Sequence, residues 1–362
     1  MCLAAALIQV GALDEAIVRL DEARSMSERM GSELYASTCD FLQAHVHSLR
    51  GERDAALEYL GKFLKFARNC GIVVPAHATR ADAARLLSFG IAENFCIEAI
   101  KEVIVRTRLA PPASDVGVNW PWPVKIFALG RLLVLKDDAP LVFNGKAQKK
   151  SLELLSALIA QGGRDVGMNK LAQLLWPDTD GDTARTNLRT TLLRLRRLIG
   201  DAAVVHQGSS LSLNEECCWL DVWAVEQVCD ARVGDLDPMQ RVDKLFALYR
   251  GEFLPDSDEP WLINQRERLR AKALRLILGV GERLELDGRL AEAIDVYQKG
   301  IEVDSLAEEI YRRLMRCYLA TNRAAEALVL YQRYRTLLSR SLQIEPAAET
   351  KSLFRKIQQL AM

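Results

Sequence analysis

The sequence has few of the residue patterns that mark chemical sites. None of its eight cysteines forms a Cys-x-x-Cys pair or stands near a histidine at zinc-binding spacing, and the 362 residues include only four histidines. It has no Gly-x4-Gly-Lys-Ser/Thr loop for nucleotide phosphates and no recognisable pair of nucleophile and base. We therefore expect a protein that is not an enzyme and that holds neither a metal ion nor a cofactor.

The sequence also lacks an excess of either charge and a long apolar run. Lys+Arg and Asp+Glu number 48 each, so affinity for a polyanion must come from a local cluster of charge. There is no secretion signal and no apolar run of about eighteen residues. Scattered cysteines are typical of a reducing compartment. The expected location is the cytoplasm, with no membrane partner.

A local basic cluster lies in an amphipathic segment that is predicted to be a helix over 184–199. With about 100° of rotation per residue, one face is an apolar stripe. The stripe consists of Leu188, Leu192, Leu195 and Ile199. The opposite face consists of Asn187, Thr190, Arg194 and Arg197, with Arg189 and Arg196 on its flanks. We expect Asp182 or Thr183 to cap this helix and a left-handed Gly200 to end it.

These side chains are chemically suited to DNA. Arginine forks match guanine edges and phosphates, and Asn and Thr are short enough to read base edges in a major groove. The segment is therefore predicted to be a DNA-reading helix. The alternative is a solvated arginine face on an ordinary helix.

Glycine or asparagine followed five positions later by alanine recurs four times. The pairs are Gly11 and Ala16, Gly51 and Ala56, Gly288 and Ala293, and Asn322 and Ala327. A bulky residue follows four positions after each alanine, at Leu20, Leu60, Tyr297 and Tyr331. The pattern predicts helical hairpins, with a tight turn at Gly or Asn and close helix approach at Ala. The last two copies are one tetratricopeptide period of about 34 residues apart.

The predicted fold is mainly α with a small α+β domain. A tetratricopeptide-like helical array covers 1–110, and a linker rich in Pro and Trp covers 111–123. A winged helix-turn-helix covers 124–220, and a second tetratricopeptide-like domain covers 221–362. We expect Trp120 and Trp122 to pin the linker against a neighbour. Because the first helix looks like the start of a pair whose preceding neighbour is missing, which would expose an apolar end, we also expect the sequence to be a fragment of a longer protein.

The winged helix is predicted from a change of hydrophobic period after the linker. Strands are expected at 124–128, 133–135 and 141–143, and helices at 150–160, 169–175 and 184–199. A hairpin of 204–207 and 211–213 follows them. In this arrangement the third helix enters the major groove and the hairpin, or wing, lies near the neighbouring DNA backbone.

Residues 124–360 resemble bacterial transcriptional activators of the antibiotic-regulatory-protein type. These join an OmpR-like winged helix to a bacterial transcriptional activator domain. The segments that carry the resemblance are Leu-Leu-Trp-Pro-Asp at 174–178, Leu-Leu-Arg-Leu-Arg-Arg-Leu-Ile-Gly at 192–200, Trp-Leu-Asp-Val-Trp at 219–223, Leu-Tyr-Arg-Gly-Glu-Phe-Leu at 248–254 and Ala-Glu-Ala-Leu-Val-Leu-Tyr at 325–331. Residues 1–112 resemble the array of MalT-like regulators, in which a nucleotide-hydrolysing module precedes the array.

The resemblance implies roles for individual side chains. Arg194 would read base edges, with Asn187, Arg189 and Thr190 as its neighbours. The implied phosphate contacts are Arg185, Thr191, Arg196 and Arg197. In the wing, where the family often has an aromatic residue and this chain has Leu211, the candidates are His206, Gln207 and Ser209. Lys149 and Lys150 could touch the DNA backbone or be solvated.

The loop at 176–182 lies where OmpR-like proteins present a surface to RNA polymerase, and Asp178 and Asp180 are its candidates for that contact. A calcium site of EF-hand spacing fails because Thr183 stands where glycine is needed and Arg189 where glutamate is needed. Tyr311, Tyr318, Tyr331 and Tyr334 are expected in the core, with a ligand groove as the alternative.

Two functions are compatible with this organisation. The first is a sequence-specific activator that binds promoter DNA as a homodimer, while its helical arrays sense a signal or hold partners. The second is a tetratricopeptide scaffold for protein partners in which the winged helix does not read DNA.

Overall fold

The computed structural model describes residues 1–70, 74–75, 77–112, 117, 119–142, 145–230 and 237–360. The chain forms two compact units. The first consists of Met1–Val124 with Glu215–Cys218, and the second of Lys125–Asn214 with Trp219–Met362. The winged helix and the C-terminal helices thus share one unit. In the part of the chain that the structure describes, no helix is both long and apolar enough to span a bilayer.

The first unit is built of consecutive antiparallel helices. They are α1 (Cys2–Gln9), α2 (Leu13–Arg29), α3 (Glu33–Arg50), α4 (Arg53–Cys70), α5 (Arg80–Ala92) and α6 (Ile97–Thr107). Each of the first three packs on the next, α5 packs on α3, and α6 packs on α4 and α5. The helical array predicted for this part of the chain is confirmed.

The repeated hairpin pattern works as predicted in both units. The turn residues Gly11, Gly51, Gly288 and Asn322 all have positive φ, between 58° and 80°. The alanine of each copy is fully buried, and the bulky residue that follows it is at most 4% exposed. A turn residue that tolerates a left-handed backbone and a small residue at the helix contact are therefore what closes each hairpin.

The two tryptophans of the predicted linker are buried. Trp120 is 3% and Trp122 is 8% exposed, and both belong to the first unit. Trp122 Nε1 donates a hydrogen bond to the carbonyl of Gly117 at 3.2 Å. Residues 113–116 and 118 of the predicted linker lie outside the described residues.

The strands between residues 124 and 220 form two small sheets. The strands are β1 (Val124–Phe127), β2 (Leu133–Lys136), β3 (Ala139–Pro140), β4 (Val166–Gly167), β5 (Val204–Gln207), β6 (Ser210–Leu213) and β7 (Cys218–Leu220). One sheet has the order β3-β2-β1-β7 and the other the order β4-β6-β5. Strands β4 and β7 were missed by the sequence analysis, since runs of two and three residues carry no visible alternation.

The strand expected at 141–143 lies elsewhere. Asp137 and Asp138 both have positive φ and form a tight turn, so β2 pairs with residues directly after it, Leu135 opposite Pro140 and Lys136 opposite Ala139. The antiparallel partner therefore begins two residues earlier than predicted. Phe143 lies outside the described residues.

Three helices complete the winged helix. They are α7 (Gly145–Ala160), α8 (Met168–Leu175) and α9 (Gly181–Ile199), and each packs against the other two. The hairpin of β5 and β6 turns at Gly208, which has a φ of +57°, and forms the predicted wing.

The C-terminal part of the second unit is helical. Its helices are α10 (Asp221–Asp230), α11 (Pro238–Leu248), α12 (Ile263–Leu286), α13 (Leu290–Val303), α14 (Glu308–Ala320), α15 (Ala324–Ser341) and α16 (Ala348–Leu360). From α12 onward each helix packs on the next. Tyr297 illustrates the close packing, because a Cβ at Gly281 would lie 2.3 Å from its ring.

The four tyrosines considered as a ligand groove belong to the core. Tyr311, Tyr318, Tyr331 and Tyr334 are each at most 6% exposed. The rings of Tyr311 and Tyr334 stack with centroids 4.2 Å apart, and those of Tyr331 and Phe354 stack at 4.0 Å. Their role is to hold α14, α15 and α16 together.

The winged helix is joined to the C-terminal helices by a buried carboxylate. Asp221, at the start of α10, is 1% exposed, and its Oδ2 accepts hydrogen bonds from the amides of Ala128 at 2.8 Å and Leu129 at 2.9 Å. Burial raises the pKa of Asp221 to about 7. The backbone that follows β1 is thereby fixed to α10, the first of the C-terminal helices.

The same stretch of backbone makes a short antiparallel bridge. Leu129 pairs with Phe253, the amide of Gly130 donates to Glu252 O at 2.9 Å, and the amide of Leu254 donates to Ala128 O at 2.8 Å. Gly130 has a φ of +86°, and a Cβ there would lie 2.9 Å from the carbonyl oxygen of Arg250. This close approach of two backbones requires glycine.

A second junction lies at the end of α7. Trp223 of α10 donates from Nε1 to the carbonyl of Gly162 at 3.0 Å, and the Arg164 guanidinium lies 4.3 Å from its ring centroid. A Cβ at Gly163 would lie 2.9 Å from the indole ring. The indole ring therefore packs directly against the backbone of Gly162 and Gly163 in the winged helix.

The glycine pair at the end of α7 gives a matched test of this junction. Gly162 and Gly163 both have positive φ, but a Cβ at Gly162 would meet nothing within 4 Å. We expect Gly162→Ala to cost only backbone strain of about 1 kcal/mol, and Gly163→Ala to cost about 1–3 kcal/mol more because it overpacks Trp223. Urea unfolding of the two variants measures the difference. Equal losses would show that the indole is not tightly seated.

The raised pKa of Asp221 predicts a pH dependence of stability. A carboxyl whose pKa is raised from its ordinary value near 4 to about 7 contributes stability below about pH 4, and that stability is lost as the pH rises through 7. We therefore expect the free energy of unfolding of the wild type, relative to Asp221→Asn, to fall between about pH 4 and pH 7. Denaturant titrations across this range measure it. A difference independent of pH would contradict the buried, neutralised carboxyl.

Candidate nucleic-acid interface

Helix α9 is held by its apolar stripe. Leu188, Leu192, Leu195 and Ile199 are each at most 5% exposed, as predicted, and Ala184 is buried with them. The stripe faces α7 and α8. Burial of such side chains contributes about 1.5–3 kcal/mol each, so the orientation of α9 is firmly set and its other face must point away from the core.

The ends of α9 differ in detail from the prediction. Asp180, and not Asp182 or Thr183, caps the helix: its Oδ1 accepts hydrogen bonds from the amides of both of those residues at 3.1 Å. A hydrogen bond from the Thr183 side chain, together with these two amide hydrogen bonds, lowers the pKa of Asp180. At the other end Gly200 has a φ of +112° and a ψ of +141°, a glycine conformation outside the left-handed helical region.

Three arginines stand free on the exposed face of α9. Among the described residues, Arg189, Arg194 and Arg197 are exposed and form no ion pair or hydrogen bond within the chain. No acidic residue follows Asp182 in the helix. The face therefore carries positive charge that the fold itself does not neutralise.

Two threonines lie between these arginines. Thr186 and Thr190 are exposed, and their hydroxyls donate to the carbonyls one turn earlier, of Asp182 at 3.0 Å and Thr186 at 3.1 Å. Each hydroxyl oxygen can still accept a hydrogen bond from outside. Asn187 is only half-buried, at the edge of the face.

Two of the predicted phosphate contacts have structural roles instead. Thr191 is 3% exposed and faces the core, so the phosphate role predicted for it is wrong. Arg196 donates from Nε at 3.1 Å and Nη2 at 2.8 Å to the carbonyl of Val204 at the start of the wing. Its guanidinium therefore ties α9 to β5, and two of its nitrogens are already engaged.

The other basic candidates also differ in whether their side chains are engaged within the chain. Lys150 is engaged within the chain, with Nζ 2.6 Å from Glu153 Oε2, 3.0 Å from Leu175 O and 5.0 Å from the Trp176 ring centroid. Lys149 is exposed. Arg185 forms only surface contacts, with Asn169 at 2.9 Å and Asp182 at 3.3 Å, which are weak enough to be exchanged for a phosphate.

The wing presents polar side chains at its tip. His206, Gln207 and Ser209 are exposed, and His206 and Gln207 lie opposite Leu211 and Ser210 in the hairpin. Leu211, which stands where the family often has an aromatic residue, is fully buried. The wing core is thus apolar, and the tip carries the three candidates.

Sequence reasoning missed Thr186 and Leu193. Ala184 and Thr191 extend the buried stripe to one side, which turns the centre of the exposed face toward Thr186, Leu193 and Arg197 and leaves Arg194 on its flank. Leu193 is 56% exposed. Counting Thr191 as inward-facing would have found this shift, but a threonine gives no such signal in sequence.

The loop before α9 presents one free acid. Asp178 is exposed, whereas the carboxylate of Asp180 is occupied by the cap of α9. In the portions of the chain that the structure describes, no group of acidic, histidine or cysteine side chains is arranged to hold a metal ion.

Comparison with known proteins identifies the C-terminal helices. Residues 221–358 match the family described as the bacterial transcriptional activator domain. The chain is 29% identical over 226 residues to the regulatory protein AfsR of Streptomyces griseus, covering 60% of this chain and 23% of that protein. It is 22% identical over 242 residues to the transcriptional regulatory protein EmbR of Mycobacterium tuberculosis, covering 63% of this chain and 62% of that protein.

A solved structure of M. tuberculosis EmbR, in complex with a low-affinity phosphopeptide, aligns over 66% of each chain with a TM-score of 0.48 and 20% identity. The chain spans about a quarter of the length of AfsR and under two thirds of EmbR. These relatives are all described as regulatory proteins, and the shared class is that of bacterial transcriptional regulators. The chain is thus similar to these regulators over about 60% of its length, and its C-terminal helices match their activator domain.

The role of Arg196 can be separated from that of its neighbour. Arg196→Ala removes two hydrogen bonds to Val204 O and should lower the free energy of unfolding by about 1–3 kcal/mol. Arg197→Ala, on the exposed face, should stay within about 0.5 kcal/mol of the wild type. Thermal or urea unfolding in the absence of DNA measures both. Equal stability of the two variants would contradict the structural role of Arg196.

Proposed function

We propose that the protein is a sequence-specific DNA-binding transcriptional regulator that reads the major groove with α9. The observation that carries this proposal is the exposed face of that helix, on which Arg189, Arg194 and Arg197 have no partner among the described residues. Arg313 is an example of the opposite case, because Glu282, Glu285 and Glu309 neutralise it within the fold. An unneutralised cluster on a rigid helix suits a polyanion.

The winged-helix geometry supplies a consistent docking mode. An α-helix fits the major groove, and the free guanidinium of Arg194 can donate two hydrogen bonds to a guanine edge, with Arg189, Thr190 and Asn187 beside it. Arg185 and Arg197 are assigned to phosphates. The tip of the wing, at His206, Gln207 and Ser209, would approach the neighbouring backbone.

We further propose how DNA binding is used. The loop that bears Asp178 is the surface that contacts RNA polymerase, and through this contact the protein acts as an activator. The helical arrays sense a signal or hold partners, and two copies bind repeated half-sites in the cytoplasm. In a longer regulator, a nucleotide-hydrolysing module would precede the first array.

Arg194→Ala tests base reading. We expect a loss of about 1–3 kcal/mol of binding free energy on the preferred sequence and relaxed specificity at one base pair, because one bidentate contact is lost. Fluorescence anisotropy on a duplex enriched by selection from random DNA measures this loss, beside a scrambled duplex. Arg340→Ala, which removes an exposed arginine from α15, is the control for charge alone. Equal losses on both duplexes would remove Arg194 from the base-reading role.

Arg197→Ala tests the phosphate role. Here we expect weaker binding to every duplex and a salt dependence shallower by about one unit of slope, because one phosphate is no longer neutralised. Salt titrations of the same anisotropy assay measure the slope. An unchanged slope would contradict the assignment, and the absence of selective binding by the wild type would favour the scaffold function.

A further inference from the structure

Leu193 is an apolar side chain at the centre of a basic surface. It is 56% exposed, although α9 buries every leucine of its inner stripe. Its neighbours one turn away on the helix are Arg189, Thr190, Arg196 and Arg197. The four-carbon side chain of Leu193 thus projects between guanidinium groups. Two of these, on Arg189 and Arg197, have no partner among the described residues.

An exposed leucine by itself is common on protein surfaces and indicates nothing. Here its surroundings restrict the partner. The flanking guanidiniums of Arg189 and Arg197 favour a polyanion, so a purely apolar protein surface would leave both desolvated without compensation. The partner must combine dense negative charge with a small apolar group.

DNA has one such group on its major-groove edges. The donor and acceptor pattern of the groove is polar at every base pair, and its apolar element is the C5-methyl group of thymine. We propose that Leu193 makes an apolar contact with a thymine C5-methyl group, so that α9 prefers an A·T pair beside the pair read by Arg194. This inference rests on the proposed function.

The size of the effect follows from the area covered. Burying one methyl-sized group changes an equilibrium constant by about three- to fivefold. Replacing the contacted thymine by deoxyuridine removes only that methyl group and leaves every hydrogen bond and phosphate in place. Wild-type affinity should therefore fall about three- to fivefold at one position of the site.

The experiment is a deoxyuridine scan of the selected duplex. Anisotropy is measured for the wild type, Leu193→Ala and Leu193→Met, with one thymine replaced at a time. Leu193→Ala should bind the thymine duplex about as weakly as the wild type binds the uracil duplex and should be insensitive to the replacement. Leu193→Met keeps an apolar side chain of similar volume and should restore sensitivity. Leu286→Ala, which shortens a leucine that is 83% exposed at the end of α12, is the control.

Two outcomes would overturn the inference, and they are distinguishable. If the wild type binds selectively but each thymine replacement affects it and Leu193→Ala equally, DNA reading stands and the thymine contact is refuted. If the wild type shows no selective binding to any duplex, the proposed function fails and the inference fails with it.

Discussion

The buried carboxylate of Asp221 is the constraint on which the second unit depends. It accepts hydrogen bonds from two consecutive amides, of Ala128 and Leu129, just where β1 ends and the chain bridges to Phe253. A carboxyl that is 1% exposed is costly unless it is paired, and these amides would be equally costly without it. The requirement is mutual, so this carboxylate couples the backbone after β1 to α10. The winged helix is therefore presented on a rigid helical layer.

That rigidity gives the basic residues of α9 two distinct kinds of role. Arg196 holds the wing through Val204, and Lys136 reaches the carbonyl of Leu198 at the end of the same helix at 3.5 Å. These cations satisfy backbone carbonyls that the helix end and the wing would otherwise leave unpaired. Arg189, Arg194 and Arg197 form no hydrogen bond or ion pair among the described residues, so their charge is available to a partner. A recognition surface requires both sets, because free side chains read a partner accurately only on a fixed backbone.

The helical arrays show how little sequence is needed to specify a hairpin. One residue with a left-handed backbone, one buried alanine and one bulky residue recur at Gly51, Ala56 and Leu60 and again at Asn322, Ala327 and Tyr331. The same three conditions hold in both units. The stacked tyrosines of the last helices then fill the space between hairpins.

The sequence by itself determined the helices, their turns, the order of the winged-helix elements and the buried face of α9, because each follows from a local period or from a residue with special backbone freedom. Tertiary structure decided the rest. Thr191 faces the core, Arg196 and Lys150 are engaged with carbonyls, and Leu193 is left at the centre of the exposed face. Local pattern could not reveal these assignments. A basic side chain that donates to a distant carbonyl and one that is free to bind a phosphate have the same sequence signature. Which of them is free depends on the neighbours that folding brings to it.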